Sequence, residues 1–268
     1  MNDHGVVIVG GGLAGQRCAE TLRRRGYEGP VRILCAESEA PYDRPPLSKA
    51  VLAGTADEAS VAFRPADWYE ENAVELILGT RAEGLEPGAR LVVLAGGEPI
   101  PYGKLLIASG GAPRRLPFLE GFENVHYLRT LTEARRLRAE LSRGVRLAII
   151  GAGFIGQEVA ATALGLGAEV TIVEAIEVPL APILGTELGR WFADLHQEEG
   201  VRLLTGALIE GARGNSRVEE LLLADGTKIG CDVVVAGIGT APATEWLAGS
   251  GLGERGVRGR RARPHRPA

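Results

Sequence analysis

The chain has 268 residues, room for two domains of ordinary size or one large one. Hydrophobic residues make up 45% and charged residues 24%, a globular balance, and the net charge of −4 offers no footprint for nucleic acid or an anionic membrane. No apolar run approaches the ~20 residues that span a bilayer, and the start from Met1 to His4 lacks the basic opening of a secretion signal, so the cytoplasm is the default expectation.

In chain order, Val6–Val9 reads as a short strand ending in Gly10-Gly11-Gly12-Leu13-Ala14-Gly15. A helical pattern through Cys18, Ala19 and Leu22 stops at Gly26, and residues 31–36 read as a second strand ending at Glu37. Three prolines keep Pro41-Tyr42-Asp43-Arg44-Pro45-Pro46-Leu47-Ser48-Lys49 from being helical throughout. Residues 90–107 read as a hairpin, with Leu91–Leu94 facing Lys104–Ala108 across Gly96-Gly97. Thr130–Ser142 predicts a charged amphipathic helix capped by Thr130 or Thr132. The opening pattern then recurs: strand Leu147–Ile150, turn Gly151-Ala152-Gly153-Phe154-Ile155-Gly156, helix Gln157–Leu166, and strand Val170–Val173 ending at Glu174. A helix over 186–199, strands over 201–204 and 218–223, a turn at Asp225-Gly226 and a buried-type strand over 232–236 follow. The chain is α/β and carries an internal duplication of a mononucleotide-binding unit.

One G-x-G-x-x-G is weak; two, each with a strand before, a helix after and an acid downstream, are strong. The first glycine allows the tight turn, the second lets a pyrophosphate approach the backbone, and the third lets helix and strand pack closely. The helix start then offers free N–H groups and a positive dipole end. The acid accepts hydrogen bonds from ribose hydroxyls; Glu37 lies 22 positions after Gly15 and Glu174 lies 18 after Gly156. Glu174 and Glu177 would repel a 2′-phosphate, and no Lys or Arg follows until Arg190, which favours NADH over NADPH.

The segment 41–49, together with Ala108-Ser109-Gly110, Gly151 to Glu158, and the stretch from Asp232 through Ile238-Gly239 to Pro242, resembles the FAD-dependent ferredoxin reductases of bacterial oxygenase systems, in the pyridine nucleotide-disulfide oxidoreductase superfamily. The resemblance spans about residues 5–252. It implies two Rossmann-like domains with central parallel sheets, the NAD domain inserted in the FAD domain: 1–112 as the first half of the FAD domain, 113–243 as the NAD domain, and 244–252 as the start of the return. It implies FAD at the first fingerprint and NADH at the second, with Ala14, Glu37, Arg44, Lys49, Ala82 and Arg129 at FAD-contacting positions. Ala108-Ser109-Gly110 would be the crossing between domains. Lys49 and Glu158 would form an ion pair near the flavin, where a cation steadies the reduced ring. Taken on their own residues, Lys49 also reads as a solvated lysine and Glu158 as a first-turn acid favouring the helix dipole.

Cys18, Cys35 and Cys231 form no C-x-x-C or C-x-x-x-x-C pair and read as buried, inert thiols. His4, His126, His196 and His265 form no metal-spaced set, and no metal is expected. His196 reads as a surface or packing histidine rather than an acid–base group. Trp68 and Tyr69 read as core or lid contacts, and Trp191 and Trp246 as packing. With no thiol relay, electrons would leave for an external one-electron acceptor, and the resemblance implies a two-iron ferredoxin. A nucleotide-binding chain without turnover and a related NADH oxidase or reductase subunit remain the alternatives.

The last sixteen positions, 253–268, hold six arginines and almost no apolar residue. Disorder is expected there. Family-like sequence stops near Leu252, and the tail reads either as a basic segment binding an acidic partner or as the product of a reading-frame change. On the second reading the FAD domain would lack its closing Gly-Asp segment and would hold FAD weakly, with an apolar sheet edge exposed.

Overall fold

The structure is a computed structural model and describes residues 4–252; the Arg-rich stretch 253–268 lies outside them. The chain divides into two compact units. The first takes the residues up to Tyr42, Phe63–Gly110 and the residues from Pro242 on; the second takes Asp43–Ala62 and Gly111–Ala241.

β1 (Val6–Val9) is buried at all four residues, as an apolar run without alternation requires when both faces of a strand are covered. Gly10, at φ +119°, turns the chain toward α1 (Leu13–Arg24), and β2 (Val31–Leu34) returns parallel to β1. Pro45 and Pro46 open a 3-10 turn over Pro45–Ser48, followed by the single-turn α2 (Ala50–Ala53). Then come α3 (Ala66–Glu71), β3 (Val74–Ile77), β4 (Ala82–Glu86), β5 (Leu91–Leu94), β6 (Ile100–Pro101) and β7 (Lys104–Ile107). In the second unit β8 (Gly111–Pro113) and β9 (Val125–His126) lead to α4 (Leu131–Glu140). Thr130 caps α4 in a full capping box with Glu133. β10 (Arg146–Ile150), α5 (Phe154–Gly165) and β11 (Glu169–Val173) repeat the opening motif. α6 (Ala181–Leu184), α7 (Thr186–Glu198), β12 (Arg202–Leu204), the strands β13 (Ile209–Gly214), β14 (Val218–Leu223) and β15 (Lys228–Gly230), then β16 (Val233–Ala236) and β17 (Thr240–Pro242) complete the series.

Each unit has the same plan. In the first, a parallel sheet in the order β3-β2-β1-β7 accompanies an antiparallel three-stranded sheet, β4-β5-β6. In the second, a parallel sheet in the order β12-β11-β10-β16-β9 accompanies the antiparallel β13-β14-β15. Alternation along β1 divides the first unit's core. Val6 and Ile8 pack with Ala19, Ile33 and Tyr69, while Val7 and Val9 pack with Leu85, Val92 and Trp246. In the second unit Ala148 and Ile150 pack with Val173, Leu221 and Ile229, and α5 lies against β10 and β11. β1 and β10 are the strands at which the connections change direction, and both glycine turns leave their carboxyl ends, the position where open α/β sheets bind ligands.

Three expectations are corrected. Leu91–Leu94 and Lys104–Ile107 do not face each other: β5 pairs with β4 and β6, while β7 joins β1 in parallel from Val6↔Lys104. Leu105-Leu106-Ile107 has the continuous apolar character of a parallel strand, and the two-residue β6 takes the hairpin position beyond Gly96-Gly97. Second, residues 43–62 group with the second unit, not with 1–112, because α2 packs on α4 and α5. Third, Trp191 is no core residue; it is 56% exposed, its ring edge against Phe192.

Candidate dinucleotide-binding sites

At the first turn a Cβ on Gly10 would sit 2.1 Å from the Ala108 carbonyl oxygen, and one on Gly15 would sit 2.1 Å from the Gly10 carbonyl oxygen. Both positions exclude any side chain. A Cβ on Gly12 would meet nothing within 4 Å, so the middle glycine faces open space where a ligand can approach. α1 has no side-chain cap at Gly12, and Leu13 and Ala14 are exposed at its start. Its first N–H groups therefore depend on solvent or ligand. Glu37, beyond β2, accepts a hydrogen bond from the Tyr42 hydroxyl.

A cavity of about 530 Å³ opens beside this turn, lined among others by Gly10, Ala82, Ser109 and Trp246. Ser109 Oγ donates to the Ala243 carbonyl at 2.7 Å, and Ala243 N–H donates to the Gly110 carbonyl at 3.0 Å. The indole N–H of Trp246 is buried with no acceptor among the described residues. A buried donor left unpaired costs about 1–3 kcal/mol. The open face at Gly12 and the uncapped start of α1 fit an extended dinucleotide.

The second turn repeats the backbone and changes the support. Gly151 takes φ +97°, and a Cβ on Gly156 would meet the Gly151 carbonyl oxygen at 2.1 Å. α5 begins at Gly153 without a side-chain cap, with Phe154 48% and Ile155 41% exposed. A cavity of about 450 Å³ gathers Gly151, Gly153, Glu174, Ile238 and Gly239. Glu174 Oε2 accepts Ala152 N–H at 2.6 Å and Oε1 accepts Ile176 N–H at 3.1 Å. The carboxylate is thus held at the end of β11 with lone pairs left for a ribose diol. Buried Gln157 donates from Nε2 to the Ala152 carbonyl at 2.9 Å, and its Oε1 lies 3.2 Å from His196 Nε2.

Also within the second unit, Lys49 Nζ stands 2.7 Å from Glu158 Oε1. Ser48 Oγ donates to Glu158 Oε2 at 2.5 Å, and Thr162 Oγ1 donates to the Ser48 carbonyl at 2.7 Å. The Lys49 side chain is 50% exposed, so the pair adds at most about 1 kcal/mol to stability and its worth is positional. Arg44 Nη1 donates to the Arg129 carbonyl at 2.6 Å. Of the six expected FAD-contacting positions, Ala14, Glu37 and Ala82 belong to the first unit and Arg44, Lys49 and Arg129 to the second. Sequence reasoning passed over Ser48, Thr162 and Gln157. The one sequence signal for Gln157 is that a glutamine follows the last glycine in both fingerprints, as Gly15-Gln16 and Gly156-Gln157.

Residues 4–259 match the profile of the family described as pyridine nucleotide-disulphide oxidoreductase. The chain belongs to that family. It is 38% identical over 258 residues to putidaredoxin reductase of Pseudomonas putida, covering 94% of this chain and 61% of that protein. It is 40% identical over 255 residues to the ferredoxin–NAD(+) reductase component of the anthranilate 1,2-dioxygenase system of Burkholderia cepacia, covering 94% and 63%. Among solved structures, the covalent complex of putidaredoxin reductase with putidaredoxin superposes with a TM-score of 0.90 at 37% identity, over 93% of this chain and 61% of that one. The chain spans about 60% of the length of these relatives.

For a pyridine nucleotide-disulphide oxidoreductase the state of its thiols matters. Burial, and secondarily the charge of Glu37, pushes Cys35 up to about 12. Burial pushes Cys231 up to about 11 and raises Cys18. All three are free cysteines and protonated at neutral pH, when a thiol is a poor nucleophile. Among the described residues no group of three or more His, Cys, Asp or Glu could hold a metal ion, and no helix is long and apolar enough to cross a membrane.

Proposed function

We propose that the chain carries the nucleotide-handling units of an NADH-dependent ferredoxin reductase, which takes hydride from NADH onto FAD and hands single electrons to a two-iron ferredoxin serving an oxygenase. The observation that carries this reading is the pair of glycine turns, each at the carboxyl end of the strand where its parallel sheet changes direction. The relatives named above, a putidaredoxin reductase and a ferredoxin–NAD(+) reductase component, supply the acceptor class.

In this reading the first unit is the FAD domain and the second the NAD domain, with 43–62 joined to the latter. Gly10, Gly12, Leu13, Ala14, Gly15, Glu37, Ala82, Ala108, Ser109 and Gly110 of the first unit would hold FAD, the open face at Gly12 admitting its pyrophosphate; Arg44, Lys49 and Arg129 of the second unit are FAD contacts by the resemblance alone. FAD, when bound, supplies a two-electron acceptor that releases electrons one at a time. Gly151, Gly153, Phe154, Ile155, Gly156, Ile238 and Gly239 would hold NADH. Glu174, oriented by the Ala152 and Ile176 amides, accepts the ribose hydroxyls and repels a 2′-phosphate. Glu158, held by Ser48, pairs with Lys49, and in this reading the Lys49 ammonium would favour an electron-rich flavin. A cytoplasmic location accompanies this reading, and cell fractionation checks it.

The test is rapid mixing of FAD-loaded protein with NADH in the absence of oxygen. Lys49→Met is expected to slow flavin reduction by about tenfold, a discounted fraction of what removing a buried electrostatic stabiliser costs. Reduction at the parent rate with unchanged FAD content removes Lys49 from the mechanism. Oxygen consumption undiminished when ferredoxin is withheld would move the reading to an NADH oxidase.

A further inference from the structure

We propose that His196 is a positioning residue for the second glycine turn: through Gln157 it fixes the Ala152 backbone, and with it the affinity of this unit for NADH. The inference rests on the reading of that turn as the nicotinamide dinucleotide site.

Donor and acceptor chemistry sets the direction of every bond in the chain of contacts. A carbonyl oxygen only accepts, so the Gln157 atom 2.9 Å from the Ala152 carbonyl is its NH₂ nitrogen. The Gln157 oxygen then faces His196 Nε2 at 3.2 Å and also only accepts, so His196 carries a proton on Nε2. On the other side of Ala152, its N–H donates to Glu174 at 2.6 Å. The result is a directed series: His196 in α7 donates to Gln157 in α5, Gln157 donates to the Ala152 carbonyl, and the Ala152 N–H, in the preceding peptide group, donates to Glu174 at the end of β11. Imidazole donates from Nε2 in this tautomer and when charged, so the series persists on both sides of the His196 titration.

Ala152 sits between Gly151 and Gly153, the two residues of the turn with the most backbone freedom. It is 1% exposed and is held at both its N–H and its C=O by side chains. Pinning it orients the peptides that lead into the uncapped start of α5, where an anion would bind. Ordering this backbone before the ligand arrives removes part of the entropic cost of binding. The fold itself does not demand the series. Gln16, at the matching place in the first unit, accepts from the Tyr69 hydroxyl at 2.8 Å and donates to Glu20 at 3.1 Å.

The experiment is calorimetric titration of the chain with NADH. His196→Phe keeps a ring of similar size and removes the donor; NADH Kd is expected to rise about 3- to 10-fold, the worth of one net hydrogen bond. His196→Gln restores a donor and is expected to return Kd to within about twofold of the parent. In the nucleotide-free protein, the Ala152 and Gly153 amide resonances should move in His196→Phe and return in His196→Gln. A parent-like Kd in His196→Phe, with the parent binding NADH, overturns the inference and leaves the site reading intact. No NADH binding by the parent overturns the site reading. Unmoved Ala152 and Gly153 resonances overturn the inference without reference to NADH.

Discussion

In both units the last glycine of the turn lies against the carbonyl of the first, and in both a buried glutamine follows it. From that shared start the two turns diverge. Gln16 looks into its core, tying α1 to Tyr69 of α3, and the neighbouring Gly11 would bring a Cβ to 2.4 Å from the Cys35 sulfur. Gln157 looks back at its own turn and clamps Ala152. The acids differ in the same sense. Glu37 is engaged by a phenol five residues away, whereas Glu174 is engaged by two backbone amides, one of them from the turn. The backbone of a dinucleotide fingerprint is thus fixed by sterics common to both copies, while the side chains around it can be spent on core packing or on holding the turn.

Substitutions at the glycines that the two turns share should cost the most. Gly15→Ala and Gly156→Ala each place a Cβ 2.1 Å from a backbone oxygen, which no rotamer change relieves. Each should cost about 3 kcal/mol or more of the stability of its own unit, at the upper end of overpacking effects, read by urea unfolding. Next come the acids. Glu174→Ala should weaken NADH about 10- to 100-fold, the range for hydrogen bonds to a charged group, and Glu37→Ala should leave NADH affinity unchanged. Equal effects of the two would contradict the assignment of the turns.

The two glutamines should respond in opposite ways. Gln16→Leu strands the buried Tyr69 hydroxyl and should destabilise the first unit by about 1–3 kcal/mol without touching NADH affinity. Gln157→Leu should weaken NADH instead, seen by the same calorimetry.

The smallest expected effect separates the units by pH. Burial holds His126 below its ordinary 6.5, outweighing the Glu140 carboxylate 2.8 Å away, so the neutral ring donates from Nε2. The unfolded chain then binds the extra proton. Stability from this group is full above pH 6.5 and lost as the pH falls through the depressed folded value. Glu20 of the first unit acts lower. Burial would raise it, but hydrogen bonds from Arg64, Gln16 and Arg17 prevail and bring it down to about 2. Its contribution is full above 4.5 and lost as the pH falls through about 2. Urea midpoints measured from pH 7 downward should show the second unit weakening first. His126→Asn should flatten the upper step and Glu20→Gln the lower one.

Much of this was legible in the sequence, for identifiable reasons. β1, α1, β10, α5, β14 and the Thr130 cap carry local signals: β-branched runs, glycine punctuation and a capping box. The fingerprint spacing marked Gly151, Gly153 and Glu174, which line one cavity together with Ile238 and Gly239, two positions that only the resemblance had singled out. What escaped depended on partners distant in sequence. Lys104–Ile107 finds its partner about a hundred residues upstream, in β1, so a local hairpin was the natural misreading. Ala82–Glu86 carries Glu at both its second and last positions and gave no clear strand signal. Residues 43–62 join the second unit through α2 contacts that no local pattern announces. His196 read as a surface or packing histidine, and its contact with Gln157, 39 residues away in the chain, has no local signal.

Whether the second turn binds NADH through Glu174 is decided by titrating the chain in parallel with NADH and NADPH. One NADH per chain should bind saturably, with NADPH weaker by about tenfold or more from the repulsion of its 2′-phosphate. Equal or tighter binding of NADPH, or no saturable binding of either, would contradict NADH binding through Glu174.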